Sequence, residues 1–443
     1  MTTGRQVAQS ASQAGSFVDL FAGCGGLSLG LLSAGWSGLF AVERDPIAFE
    51  TLKHNLVEGH EHCPFRYEWP SWLPKAPIEI GHFIKAHGKD LALTRGKVDL
   101  LAGGPPCQGF SLAGRRKKND PRNELFKHYV ELVRELAPSF VLLENVRGIS
   151  VAFRNGTNPK RGPGRPPIPF SEKIKVSLQD AGYTVFTKLV HCSDVGVPQF
   201  RPRYIVLAIR TELLRGHSSF DPFKDFESRR KPFLKGKGLP LDRPVTVKQA
   251  ISDLAKTEKN LIDCEDSKGF QQIKYTQPLS DYQKLMHGSM NGTAPNSLRL
   301  ARHTNIVKAR FETILNTCRK GVTLSVADRN RLGLKKQCVV PLHPDKPSHT
   351  LTTLPDDFLH YSEPRILTVR EYARLQSFPD WYEFKGNYTT GGNRRLRECP
   401  RYTQAGNAVP PLLGEFLGRM IVELALELGL LFRTQPSVHE VLG

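Results

Sequence analysis

Apolar runs of strand length alternate with amphipathic stretches through the first half of the chain. SFVDLF, from Ser16 to Phe21, reads as a buried strand, followed by a glycine-rich turn and a helical pattern ending near Trp36. SGLFAVERD predicts a second strand and PIAFETLKHN a helix. Residues 60–80 are irregular, proline-containing and aromatic, with Phe65, Tyr67, Trp69 and Trp72. The strand VDLLAG, the helix NELFKHYVELVRELA and the strand SFVLLENV come next. A helix at EKIKVSLQDAG and strands at YTVFTKLV and RYIVLAIR complete the series. This alternation predicts an α/β fold built on a mostly parallel sheet covered on both faces.

Between about 211 and 365 the rhythm fails, and clusters such as SRRKPFLKGKG make the region basic and loop-rich. It reads as a second, smaller domain. Helical periodicity returns at LTVREYARLQSF and in a final helix, LLGEFLGRMIVELALELGLLF. There Glu415, Arg419, Glu423 and Glu427 form one polar stripe on an apolar rod, which predicts that this helix packs back on the sheet. The expected division is a flexible tail at 1–16, a large domain at 17–212 completed by 398–443, and a second domain at 213–397. The last includes a supporting segment at 365–380.

Charge narrows the partner. Sixty-two Lys and Arg against 43 Asp and Glu leave a formal charge of +19, which suits a polyanion, most commonly nucleic acid. No apolar run is long enough for a membrane span, and the polar N-terminus lacks a signal-peptide core. Eight cysteines without a C-x-x-C pair argue against zinc or any metal, and imply free thiols in a reducing cytoplasm.

Candidate chemistry gathers at the ends of predicted strands. DLFAGCGG places Gly23, Gly25 and Gly26 between a strand and a helix, and Glu43 ends the next strand, where an acid accepts from ribose hydroxyls. Ser28 stands where a dinucleotide fingerprint has its third glycine, which favours an adenosine-type cofactor such as S-adenosylmethionine over a nicotinamide. GGPPCQGFS leaves a strand and stiffens through Pro105 and Pro106, presenting Cys107 on a loop. Glu144 of ENV ends a buried strand. In QFRPR, Gln199, Arg201 and Arg203 alternate along one face of an extended segment, and QAGNAVPP precedes the final helix.

With DPRNELF and RILTVREYARLQSFPD, these stretches stand in the order found in cytosine-5 DNA methyltransferases, and the sequence resembles that family over most of its length. The resemblance implies a Rossmann-like S-adenosylmethionine-dependent catalytic domain and a target-recognition domain. It implies transfer of a methyl group to C5 of a flipped-out cytosine, leaving S-adenosylhomocysteine. Cys107 is implied as the nucleophile adding to C6, Glu144 as the carboxyl that donates to N3 and contacts the exocyclic amine, and Arg203 as the arginine near the base carbonyl. Arg201 supports the base and the catalytic loop. For the cofactor it implies Asp19, Phe21, Gly23, Gly25, Gly26, Glu43, Pro105, Leu125 and Asn407. Asp90, in GKDL, is the nearest match to the family's adenine-contacting aspartate.

For double-stranded DNA the implied contacts are Gln108, Ser111, Arg115, Arg116, Lys117, Lys118 and Gln199, the segment GFSLAGRRKKNDPRN (109–123) forming a mobile loop that closes on the DNA. The patch 228–238 is expected on phosphates. NPKRGPGRPPIPF adds a Gly-Arg-Pro core like that of an AT-hook, with Arg161 and Arg165 reaching a minor groove, or else a flexible surface loop. Two rival functions stay open: a tRNA cytosine methyltransferase and a non-catalytic DNA-binding protein. A nicotinamide dehydrogenase leaves the Pro-Pro-Cys unexplained. The family resemblance further implies a monomeric prokaryotic or phage enzyme, cytoplasmic, with or without a cognate restriction endonuclease.

Overall fold

The computed structural model describes residues 14–105, 122–151, 169–217, 219–257, 260–288, 290–389 and 398–430. Its central sheet has the order β2-β1-β3-β4-β7-β5, with β1 at Ser16–Leu20, β2 at Ser37–Val42, β3 at Leu100–Gly103 and β4 at Phe140–Val146. β5 spans Tyr183–His191, β6 is the two-residue Gln199–Phe200 outside this sheet, and β7 is Pro202–Arg210. The first four strands run parallel, and β7 lies antiparallel between β4 and β5. Every residue of β1 and β3 is buried, so these strands read as unbroken apolar runs with no alternation of faces. From β1 the chain crosses outward to β2 and back past β1 to β3. The carboxyl ends of β1 and β3 therefore border the crevice that such a reversal opens.

The flanking helices are α1 Gly26–Ser33, α2 Pro46–Leu52, α3 Ile80–Thr94, α4 Arg122–Leu136 and α5 Phe170–Gln179. Asp45 starts α2 by accepting from the backbone N–H groups of Ile47 and Ala48, with Pro46 in the first turn. α3 has no counterpart in the periodicity analysis. It buries Ile80, Phe83 and Leu91 but is kinked at His87, beside Gly88, which interrupts the apolar spacing.

The last helix, α13 (Pro411–Glu427), packs on α1 through glycines. A Cβ at Gly30 would lie 2.5 Å from the Pro411 carbonyl oxygen and 2.6 Å from the Gly414 Cα, both backbone atoms. Trp36 Nε1 donates to the Gly418 carbonyl at 3.1 Å across the same contact. The polar stripe of α13 faces α6 (Phe226–Gly236). Arg229 pairs with Glu423 and Glu427, Lys237 pairs with Glu415, and the rings of Phe226 and Phe233 pack edge-on against Phe416. This narrows the expected phosphate-binding patch at 228–238: Arg229, Arg230 and Lys237 are committed to carboxylates of the chain itself, while Lys231 and Lys235 remain exposed.

Beyond α6 come α7 Val247–Ile251, β8 Leu261–Asp263, β9 Gln271–Ile273, α8 Asp281–His287, α9 Asn305–Thr317 and α10 Val326–Arg331. β10 Val340–Pro341, β11 Ser348–His349 and β12 Phe358–Leu359 follow, then α11 Val369–Leu375 and α12 Arg401–Asn407. Two satellite cores hold part of this region together, one around Ile314, Leu324, Val339, Leu359 and Ile366, the other around Leu254, Tyr275 and Leu298. α11, by contrast, is wholly buried against the main body, and its Arg374 saturates a polar hub. All five guanidinium N–H donors are used, on the Asp253 and Asp380 carboxylates and the Ala250 carbonyl, at 2.6–3.1 Å.

Candidate active site

A cavity of about 630 Å³ opens at the carboxyl edge of the sheet and joins two chemically distinct ends. At one end β1 runs into a turn where Phe21, Gly23 and Gly25 all take positive φ, of 59°, 57° and 87°. Glu43, at the end of β2, closes this turn: its Oε2 accepts from Gly23 N and its Oε1 from Asp45 N, each at 2.8 Å. Burial pushes the Glu43 carboxyl above its usual pKa. Beneath it Asp19 accepts a 2.5 Å hydrogen bond from Ser28 Oγ, which in turn accepts from the Tyr67 hydroxyl. Burial raises Asp19 to about 7. Ser28, the departure from a dinucleotide fingerprint, thus serves to satisfy a buried carboxyl.

Phe21, Gly23, Glu43, Asp19, Pro105, Leu125 and Asn407 all line the cavity. Gly25 and Gly26 do not. A Cβ on Gly26 would strike the Val409 carbonyl at 2.2 Å and one on Gly25 the Tyr382 hydroxyl at 2.8 Å, so both are small for packing. Asp90 is also elsewhere: it sits well along α3, 3.7 Å from His87 and outside the lining. The carboxylate that reaches this wall is Glu79, which caps α3 by accepting from His82 N and sits between lining residues Ile78 and Ile80. Glu79 carries no sequence motif of its own, because the periodicity that would mark α3 is interrupted; the pattern Ile-Glu-Ile at a helix start is the available signal.

At the other end Glu144 projects from the last turns of β4 and is 8% exposed. Its Oε1 forms an ion pair with Arg203 Nε of the neighbouring β7. Asn145, unremarked in the sequence analysis, donates through Nδ2 to the Pro105 carbonyl at 3.1 Å, tying β4 to the segment that leads toward Cys107. Arg201 also lines the cavity, but its guanidinium holds the walls, donating to the carbonyls of Leu351, Gly406 and Ala408. Burial lowers its pKa to about 9.

Gln199 lies on the same face and is fully buried, donating to Leu375 O and Gln376 Oε1 while accepting from Leu351 N. This corrects its assignment to DNA: it is a strut between β6 and the 348–376 region. Thr350 to Thr353 and Cys399 also line the cavity and carried no sequence motif of their own, while Gln404 lines it from the QAGNAVPP stretch. Cys107, Gln108, Ser111, Arg115, Arg116, Lys117, Lys118, Arg161 and Arg165 lie outside the described residues. Among the described residues no cluster of side chains is arranged to hold a metal ion, and no helix is long and apolar enough to cross a membrane.

Comparison with known proteins agrees with this layout. The chain is 30% identical over 417 residues to the Type II methyltransferase M.DdeI of Desulfomicrobium norvegicum, covering 92% of this chain and 88% of that protein. It is 30% identical over 430 residues to M.XorII of Xanthomonas oryzae pv. oryzae, covering 92% and 84%. Among solved structures, a DNA modification methyltransferase encoded within an E. coli prophage superposes with a TM-score of 0.61 at 25% identity, covering 93% of this chain and all of that one. The family model for the C-5 cytosine-specific DNA methylase matches residues 15–423. A parallel sheet with a nucleoside-type turn, a buried Glu–Arg pair in the same cavity and a family match over nearly the whole length converge, and the chain belongs to the C-5 cytosine-specific DNA methylases.

Proposed function

We propose that the cavity takes S-adenosylmethionine at its Glu43 end and a cytosine, extruded from a DNA duplex, at its Glu144 end. The continuity of the two ends within one cavity carries this reading. The residues suit an adenosine-type ligand. Each Glu43 oxygen accepts one backbone N–H and keeps a lone pair for a ribose hydroxyl. Nothing lies within 4 Å of a Cβ built on Gly23, so a ligand can approach its backbone closely. Glu79 takes the adenine-side role first expected of Asp90. Bound there, S-adenosylmethionine supplies the methyl group that C5 of cytosine accepts.

The chain's own residues prepare that carbon. The Cys107 thiolate adds to C6, forming an S–C bond and pushing the ring's electrons toward C5 and N3, which divides one difficult substitution into two easier steps. Glu144, taking up a proton as the base enters, passes that proton to N3 as charge develops there, and Arg203 holds the carboxyl in place. Loss of the C5 proton to a base and departure of Cys107 restore the ring. The base must leave the stack to reach so recessed a carboxyl. The relatives' designation as Type II methyltransferases supports a restriction endonuclease as cognate partner.

The test is base-resolution sequencing of 5-methylcytosine in DNA from a methylation-free host expressing the chain, with Cys107→Ala alongside. One short motif modified throughout, and blank in the variant, is the expected result. An unmodified genome in the presence of soluble, cofactor-binding protein refutes it.

A further inference from the structure

Between a wall of the cavity and the segment 264–302 runs a row of alternating guanidinium groups and aromatic rings. The Arg401 guanidinium carbon lies 4.3 Å from the centre of the Tyr388 ring, and that of Arg299 lies 3.8 Å from the same ring. Arg299 also lies 4.3 Å from the centre of Phe270, which Arg302 meets at 4.6 Å. Tyr388 is 5% exposed, and its hydroxyl donates to the Asp266 carboxylate, which also accepts from Arg401 Nη1 at 2.6 Å. Arg299 makes one side-chain hydrogen bond among the described residues, to Ser267 Oγ at 3.4 Å, so the two rings are what hold it. A guanidinium over a ring face is attracted by the ring's quadrupole, and more strongly once water is excluded.

The row ends on the cavity wall. Arg401 opens α12, and Thr403, Gln404, Gly406 and Asn407 of that helix line the cavity. The Gln404 carbonyl accepts from Cys24 Sγ, within the glycine turn, which places α12 at the Glu43 end. Seven residues make only two turns, too few to hold a helix by its own hydrogen bonds. Its N-cap is Pro400, which supplies no side-chain acceptor for the first turn. Arg401 fixes that turn instead: Nε donates to the Gly386 carbonyl at 2.8 Å, and Nη1 donates to Ser297 Oγ at 3.1 Å as well as to Asp266. The rest of α12 has separate anchors. The Tyr402 hydroxyl donates to the Leu367 carbonyl and Gln376 Nε2 to the Ala405 carbonyl, each at 2.6 Å. Breaking the row therefore frees the first turn without unseating the helix. We propose that Tyr388 and Arg401 are positioning residues for the cofactor, setting through the row how Gln404 and Asn407 present to it. The inference rests on the reading of the Glu43 end as the S-adenosylmethionine site.

The experiment compares full-length wild type, Tyr388→Phe, Tyr388→Leu and Arg401→Lys. Calorimetry measures S-adenosylhomocysteine binding, methyl transfer gives KM for S-adenosylmethionine and kcat, and thermal unfolding without cofactor reports the fold. Tyr388→Leu removes the ring that two guanidinium groups share and should weaken S-adenosylhomocysteine binding about tenfold, what one or two cation–π contacts are worth. KM should rise by a similar factor with kcat within about twofold of wild type, because the lost binding is common to ground and transition states. Tyr388→Phe keeps the ring and should stay within about twofold of wild type in affinity. Arg401→Lys keeps the charge but neither the planar stack nor the fork on Asp266 and Gly386, and should resemble Tyr388→Leu. Lower thermal stability with unchanged cofactor affinity in Tyr388→Leu overturns the proposal and leaves the row a tie of the fold alone. An Arg401→Lys chain that binds cofactor like wild type overturns it too. A wild type that binds no S-adenosylhomocysteine overturns the cofactor reading, and this inference with it. A wild type that binds cofactor without methylating DNA overturns only the methylation reading, and the calorimetry still decides the row.

Discussion

Removing Arg203 should expose how much of the active site is held by one buried charge pair. The side chains of Arg203 and Glu144 are 7% and 11% exposed, so neither ion regains much water if its partner is deleted. Breaking such a pair costs about 3–5 kcal/mol, because the survivor is left charged and uncompensated. Arg203→Met should therefore lose about that much, a large part of the roughly 5–15 kcal/mol that holds a typical native protein together. Glu144→Gln should lose a similar amount, since among the described residues Arg203 then keeps only the Pro202 carbonyl as a partner. The double variant has no orphaned ion and should cost much less than the sum, giving a coupling of about 3 kcal/mol or more. Urea unfolding followed by tryptophan fluorescence measures the cycle, and calorimetry checks that the Glu43 end still binds cofactor. Methyl transfer should be lost in all three variants. Single variants that cost under about 1 kcal/mol, or a double variant whose cost equals the sum, would refute the argument.

Three further outcomes are expected. Glu43→Ala removes the acceptor of both Gly23 N and Asp45 N and should weaken S-adenosylhomocysteine binding by about tenfold or more in calorimetry, as loss of a charge-assisted hydrogen bond predicts. Gly30→Val should destabilise by more than the roughly 1–3 kcal/mol of ordinary overpacking, because its Cβ meets unyielding backbone of α13; unchanged thermal stability would contradict the close helix contact. His360 is buried neutral, accepting from the backbone N–H groups of Ser362 and Glu363, and burial depresses its pKa to about 3. With an unfolded value near 6.5, its stabilising effect is complete above that pH and is lost progressively as pH falls toward 3. Between pH 7 and 5 wild type should lose about 2 kcal/mol more than His360→Asn, and parallel acid profiles of the two would show that the ring protonates freely in the fold.

Residues whose role is set by near neighbours are legible in the amino-acid order itself. The turn from Phe21 to Gly23 and the acid Glu43 that closes it follow from a strand, a glycine cluster and a second strand, all within 30 residues. Glu144 at the end of an apolar run, and the Gln199–Arg201–Arg203 alternation, need only the two-residue period of a strand. That α13 is buried on one side is legible from its apolar girth, but it packs on α1 and α6 and not directly on the sheet as expected.

Partnerships across long stretches of chain belong to the tertiary structure. Nothing local distinguishes Gln199, sealed against Leu375, from a polar residue reaching for DNA, because its burial depends on a segment 176 residues away. The basic cluster at 228–238 looks free throughout until Arg229 of α6 meets the carboxylates of α13, 194 and 198 residues on. Glu79 displaces Asp90 for a similar reason: only the fold decides which end of a kinked helix faces the cavity. Local periodicity reports how a residue prefers to sit, and long-range packing decides what it sits against. The chain alone therefore determined the fold class, the family chemistry and the strand-end acids, and the tertiary structure decided which charges are free for a ligand and which are already used.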